Sequence, residues 1–329
     1  MNDFKKLFET FPSLKVGVIG DVMLDTYMWG NVERISPEAP VPIVTLHHKE
    51  YRIGGAGNVA LNCQSLGAQV FVLSVTGDDS EGILLRELFE SSNIETSYLL
   101  KSIDRVTTNK TRIISRNQQM LRLDAEITKD LNSSDENALL NKIKAFIADT
   151  DPDIIIFEDY NKGVLTARII HDVIELCRQA GVITAVDPKQ KNFFSYQYAD
   201  IFKPNLKEVK EGLNLMIDEL DQSLLENIHS ELKKMLHHRI SLITLSDKGI
   251  FYQQDNSSSV VPSHLRNIAD VSGAGDTVIS VASLVYAATQ NAHLMTEVAN
   301  IAGGLVCEEV GTVAINKEKL LHECEILLS

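Results

Sequence analysis

Short apolar runs rich in β-branched residues recur along the chain: "KVGVI" (15–19), "VFVLSV" (70–75), "DIIIF" (153–157), "VITAV" (182–186), "DIFK" (200–203) and "ISLITL" (240–245). Between most of them lie amphipathic stretches at helical spacing, such as 135–148, 166–180 and 223–237. That alternation predicts a parallel sheet covered by helices. The runs are continuous rather than alternating, as expected of strands buried on both faces, so the fold class is doubly wound α/β. Two segments break the rhythm: 25–55, with three prolines and strand-like patches, and 107–126, which alternates polar and apolar residues. Together they predict a small separate sheet, a lid inserted at about 25–53 and 107–124 in a single domain over 1–329. A few strands with one apolar face are marginal alone, so this sheet should pack on the main domain or on a second copy of itself. "DNSSS" (255–259), closely flanked by "IFYQQ" and "VVPS", reads as a hairpin tip.

Composition narrows the class without changing the fold. The chain has 329 residues, 44% hydrophobic and 23% charged, with a formal net charge of -14. That charge argues against nonspecific binding to nucleic acid or anionic membranes. Cys63, Cys177, Cys307 and Cys324 are scattered, with no C-x-x-C, and read as reduced thiols packed as small apolar groups. The adjacent pairs His47–His48 and His237–His238 point to different directions and do not suggest a metal. No run reaches the ~18 apolar residues of a membrane span, and the first residues lack a signal-peptide pattern, so a cytoplasmic location is expected.

Candidate chemistry centres on "DVSGAGDT" (270–277), followed by a proline-free helical pattern. Gly273 and Gly275 allow backbone N–H groups to turn toward a ligand, and the following helix adds its positive end, so an anion is stabilised there. No Lys-Ser/Thr pair follows, as a P-loop requires. Asp276 would be a poor neighbour for a phosphate unless it takes a proton from a hydroxyl attacking that phosphate; helix capping by Asp276 or Thr277 explains the loop equally well. The cluster "IGGAGNVALNCQSLG" (53–67) fits G-x-G-x-x-A but follows the inserted segment rather than a sheet strand. It reads better as bare backbone approaching a small polar ligand, with Asn58 as donor and acceptor. "VIGDVMLD" (18–25) runs a strand into Asp21 and Asp25, suited to sugar hydroxyls, or to a solvated loop. In "KPNLKE" (203–208), Asn205 and Glu208 share a face by their i, i+3 spacing, fit to hold Mg²⁺ through water or to cap a helix. "LITLSDKGIFY" (242–252) offers Thr244 and Ser246 to a nucleotide pocket, or is an ordinary hairpin.

In order and spacing, "GGAGNVA", "KPNLKE" and "DVSGAGDT" resemble the ribokinase-like (PfkB-type) carbohydrate kinases. The stretches "GDVMLDTYMWGNVERISPEAPVPIV", "TRIISRNQQMLRLD", "EDYNKG" and "VDPK" are most similar to the branch acting on D-glycero-β-D-manno-heptose 7-phosphate, over residues 10 to 325. The resemblance implies ATP-dependent phosphorylation of C1 to the 1,7-bisphosphate, for ADP-heptose and lipopolysaccharide core synthesis. Another sugar or sugar phosphate (ribose, fructose, fructose 6-phosphate) is the alternative within the family, and a non-catalytic sugar-phosphate sensor the alternative outside it. By the same resemblance Asp276 is the base and Gly273, Ala274 and Gly275 the anion hole. Asn205, Leu206, Lys207 and Glu208 organise ATP with Mg²⁺, Glu208 through water, and Thr244, Ser246 and Asn300 lie on the nucleotide side. Asp25, Gly54, Gly55 and Asn58 bind sugar, with Asp21 and Asp159 as additions. A sugar 7-phosphate needs a cation, for which Arg112, Arg116 and Lys162 are candidates. The family also implies a homodimer through the lid. Many heptose kinases carry a fused nucleotidyltransferase domain; no H-x-G-H motif occurs here, so a stand-alone kinase is expected. Where the branch often reads "GGAANVA", "DVTGAGDT" and "SDYAKG", this chain has Gly57, Ser272 and Asn161. The first two are expected to be mild and Asn161 to adjust sugar contacts.

Overall fold

A computed structural model describes residues 3–116, 118–217 and 219–328. Its strands are β1 (Lys15–Gly20), β2 (Val22–Ile35), β3 (Pro42–Gly55), β4 (Gln69–Leu73), β5 (Val75–Gly77), β6 (Leu100–Ser102), β7 (Asn109–Ser115), β8 (Gln118–Ala125), β9 (Ile154–Glu158), β10 (Ile183–Asp187), β11 (Ile201–Phe202), β12 (Ile240–Thr244), β13 (Ile250–Gln254) and β14 (Ser257–Val261). The main sheet runs β14-β13-β12-β11-β10-β9-β1-β4. It is parallel from β4 to β12 and antiparallel in the hairpin at its edge. All six apolar runs are strands of this sheet, and Asp255 and Asn256 form the hairpin tip.

Period-two alternation divides the core into two layers. Val16, Val18, Ile154, Ile156, Ile240 and Leu242 pack with the helices Ala56–Ser65, Ala274–Thr289 and Ala292–Val306 on one face. Ile155, Phe157, Val186, Phe202 and Ile243 pack with Ser133–Thr150, Ala167–Ala180 and Gln222–Leu236 on the other. Each strand therefore buries both faces, which is why the runs read as unbroken.

β2 leaves the end of β1 after one residue, Asp21, and carries the chain out into a four-stranded sheet of order β3-β2-β7-β8. The segments that broke the helical rhythm supply all four of its strands. The carboxyl ends of β1, β9, β10, β11 and β12 deliver Asp21, Glu158, Asp187, Lys203 and Thr244 to one edge of the main sheet, where open α/β sheets hold ligands.

The four cysteines are free and buried. Burial pushes the thiols of Cys63, Cys177 and Cys324 up to about 12, so they are inert. Among the described residues, no helix is long and apolar enough to cross a membrane.

Candidate active site

The Ala274–Thr289 helix begins at Gly273, whose φ of 80° lies in the left-handed region that favours glycine. No side chain caps this start. Thr277 turns its hydroxyl back to the Gly273 carbonyl and to Asn62 Oδ1, both at 3.1 Å, so the capping explanation fails; Ala274 N donates to the Val271 carbonyl at 3.3 Å, and no side chain takes the N–H groups of Gly275 and Asp276. Gly275 stays close to Asp187 and Lys203: a Cβ there would stand 3.7 Å from Asp187 Oδ2 and Lys203 Nζ.

Asp276 points into the site from this first turn and is buried. Asn58 Nδ2 donates to its Oδ2 at 2.7 Å and the Tyr160 hydroxyl donates to its Oδ1 at 2.9 Å. Burial pushes its carboxyl up to about 6, against the pull of those two hydrogen bonds. Asn58 is itself oriented by Asn62, whose Nδ2 donates to Asn58 Oδ1 at 3.3 Å. Asn58, expected to touch sugar, thus holds Asp276, the expected base.

Around Asp276 lies a dense set of buried charges. One carboxylate oxygen each of Glu158, Asp187 and Asp276 lie within 4.8 Å of one another. Lys203 Nζ sits 2.6 Å from Asp187 Oδ2, and Lys189 Nζ bridges Asp187 at 3.2 Å and Glu208 at 2.8 Å. Burial opposes the Lys189 charge, yet Asp187, Glu158 and Glu208 hold its ammonium above the ordinary range. Burial, then Asp187 and Asp276, push the Glu158 carboxyl well up. Both Glu158 oxygens are buried without a hydrogen-bond partner. Orphaned hard oxygens beside Asp187 fit a divalent cation of the Mg²⁺ type.

Glu208 and Asn205 form a capping box on the Leu206–Leu213 helix, each side chain bonded to the other's backbone N–H. The carboxylate of Glu208 is also engaged by Lys189. Leu206 packs into the core, and Lys207 extends outward to Glu211 at 3.8 Å. Thr244 bridges Asn205 at the end of β12, Ser246 is exposed in the turn beyond, and Asn300 donates to the Pro262 carbonyl at 2.8 Å.

The sugar-side residues separate into two groups. Asp25 bonds Arg112 through Oδ1 at 2.6 Å. Gly54 lies against Asp25 Oδ2 and Gly55 against the Asp21 carbonyl so closely that a Cβ at either would overlap them. Gly54 and Asp25 therefore form one wall, with Gly55 turning from it into the Ala56–Ser65 helix that carries Asn58. Asp21 and Asp159, by contrast, face the protein. Asp21 accepts the N–H groups of Tyr160, Lys162 and Val164 at 2.9 to 3.0 Å, and Asp159 accepts from Asn161 N and the Tyr196 hydroxyl. They build the loop that presents Tyr160. Asn161 adopts φ of 55° within it, a conformation Asn tolerates well.

Of the expected phosphate cations, Arg112 is paired with Asp25, and Lys162 with Glu126 at 2.7 Å. Arg116 is exposed beyond the end of β7, past Ser115, which pairs with Gly30, five residues along β2 from Asp25. The structure does not bring it to this wall. Glu158, Tyr160, Asp187, Lys189 and Lys203 complete the site; they lie within the quoted stretches "EDYNKG", "VDPK" and "KPNLKE", where the sequence alone does not single them out. The crowding at Gly57 is also new: a Cβ would overlap Ile53 and lie 2.9 Å from Phe89 Cζ, so side-chain packing sets that position.

A model of the pfkB family of carbohydrate kinases matches residues 13–319. The chain is 38% identical over 310 residues to the Bifunctional protein HldE of Helicobacter hepaticus, covering 94% of this chain and 64% of that protein. It is 36% identical over 322 residues to the protein of the same name from Citrifermentans bemidjiense, covering 98% and 65%. The chain thus spans just under two thirds of the length of these relatives. Among solved structures, phosphofructokinase-2 from Escherichia coli matches with a TM-score of 0.78 at 16% identity, covering 96% of this chain and 99% of that one. Ribokinase from Arabidopsis thaliana, complexed with ribose and ATP, matches at 0.70 and 15%, covering 94% and 98%. These two share the fold.

Proposed function

The chain belongs to the pfkB family of carbohydrate kinases, and from that premise we propose that it transfers the γ-phosphoryl group of ATP to C1 of D-glycero-β-D-manno-heptose 7-phosphate. The observation that carries the chemistry is Asp276, a buried carboxylate held by Asn58 and Tyr160 at the uncapped start of a helix. The choice of sugar is supported by the heptose-kinase stretches of the sequence and by the HldE relatives. The product would be the 1,7-bisphosphate, a precursor for ADP-heptose and lipopolysaccharide core.

In this reading Asp276 accepts the proton of the C1 hydroxyl as that oxygen attacks phosphorus. Asn58 and Tyr160 aim its two oxygens and favour the ionised form. The first-turn backbone N–H groups stabilise charge on the phosphoryl oxygens as it develops. Asp25 and the Gly54–Gly55 pair position the sugar. Lys203 and Lys189 keep Asp187 ionised beside the phosphates. Glu158 and Asp187 would hold a divalent cation, with Glu208 contributing through water; such a cation, when bound, neutralises phosphate charge.

A coupled ADP-release assay across heptose 7-phosphate, ribose, fructose and fructose 6-phosphate tests the substrate. Clear activity on the heptose phosphate is expected; activity elsewhere and none on it would overturn the choice. A dimer through the small sheet would cover Leu121 and Leu123, half-exposed on the outer face of β8. Light scattering at the mass of one chain would contradict that dimer.

A further inference from the structure

We propose that the Lys110 ammonium holds the phosphate already carried by the sugar and is the residue by which this site takes a sugar phosphate in preference to a free sugar. The inference rests on the kinase reading above and adds to it a residue that neither the motifs nor the resemblance singled out.

The small sheet presents its charges in rows. In register across its four strands stand Arg52, Asp25, Lys110 and Asp124. Two residues along each strand stand Glu50, Tyr27, Arg112 and Arg122. Side chains two apart share a face, so both rows look the same way. That way is toward the main sheet: Arg52 Nη1 donates to the Thr312 carbonyl at 3.3 Å, and Lys110 Nζ lies 5.6 Å from the centre of the Tyr160 ring. The hydroxyl of that same ring donates to Asp276. Lys110 is therefore one aromatic ring away from the base.

Four neighbouring cations each have a carboxylate. Arg52 pairs with Glu50 at 2.6 Å, Arg112 with Asp25 at 2.6 Å, Arg122 with Asp124 at 2.7 Å and Lys162 with Glu126 at 2.7 Å. Among the described residues, only Lys110 of these five makes no ion pair. It is also half-buried, and burial pulls its pKa below the ordinary lysine range against the attraction of Asp25. A desolvated ammonium without an anion is unfavourable, and a cation–π contact offsets only part of that. A phosphate monoester supplies the missing charge; a sugar hydroxyl does not. A sugar whose reacting hydroxyl meets Asp276 would direct its far end along Tyr160 to Lys110.

Lys110→Met and Lys110→Arg, made in the full chain, test this with ATP and either heptose 7-phosphate or unphosphorylated heptose. Lys110→Met should raise KM for the sugar phosphate about 10- to 100-fold, the loss expected for a hydrogen bond to a charged group. KM for ATP and for the free sugar should stay where they are, and kcat should change little, because the contact lies away from the reacting atoms. Lys110→Arg should restore most of the affinity. If Lys110→Met does not fold, Lys110→Gln carries the same expectations. A wild type that prefers the sugar phosphate, with an unaltered KM in Lys110→Met, overturns the role of Lys110 and leaves the kinase reading intact. A wild type with no preference for a phosphorylated sugar overturns both.

Discussion

In the proposed reaction Asp276 meets two opposed demands: it would have to be ionised to accept a proton, and it is buried, which favours the protonated form. With its carboxyl pushed up to about 6, the ionised base predominates above that pH. The kcat/KM profile, which reports the free enzyme, should be level above about pH 6 and fall roughly tenfold per unit below it. Removing the Tyr160 hydroxyl takes away a bond that favours the carboxylate, so Tyr160→Phe should move this acid limb to higher pH. A limb that stays put would show that Tyr160 does not tune the base. Asp276 was legible in the sequence because a carboxylate among glycines at a helix start is chemically conspicuous. The roles of Asp21 and Asp159 were not, because their partners are backbone amides of a loop that only folding brings to them. Glu158 and Lys203 stand at strand ends, and nothing in their local spacing distinguishes a site residue from a strand terminus.

At the level of elements, the six apolar runs predict the six parallel strands of the eight-stranded main sheet because burial on both faces leaves an unbroken apolar signature. The small sheet announces itself through alternation. Which of its residues face the site is not legible, since the rows of Arg52, Asp25, Lys110 and Asp124 depend on register between strands distant in sequence. Gly57 illustrates the same gap. The sequence suggests that alanine there would be harmless, whereas the Ala56–Ser65 helix approaches Ile53 and Phe89 too closely for a Cβ. Gly57→Ala gains up to about 1 kcal/mol of helix propensity. It should lose more to overpacking, on the order of 1–3 kcal/mol, and lower the urea midpoint. A raised midpoint would show that Phe89 moves aside freely.

Across the whole molecule, stability and activity respond to acid through different groups. His229 and His238 share the buried Ser241 hydroxyl, at 2.8 and 2.6 Å. Burial lowers their pKa values to about 4 and about 3 from an ordinary 6.5. The unfolded chain therefore binds more protons than the folded one below about pH 6.5, and stability falls as pH drops toward 4. Asp276 acts with the opposite sign, since its raised carboxyl favours the folded state as pH falls. A His229→Gln/His238→Gln variant should show a shallower loss of melting temperature between pH 6.5 and 4 than the wild type; an unchanged slope would place the acid sensitivity elsewhere. The His229–His238 pair and Asp276 thus lie near opposite ends of the main-sheet strands, and only Asp276 belongs to the candidate site. Whether Asp276 activates the C1 hydroxyl of a heptose phosphate can be read from phosphorus NMR of the products made from ATP and heptose 7-phosphate by wild type and Asp276→Asn. An anomeric phosphate formed by the wild type and turnover lower by at least about 100-fold in the variant are expected. Phosphate on another hydroxyl, or an Asn variant that makes the product at the wild-type rate, would contradict that role.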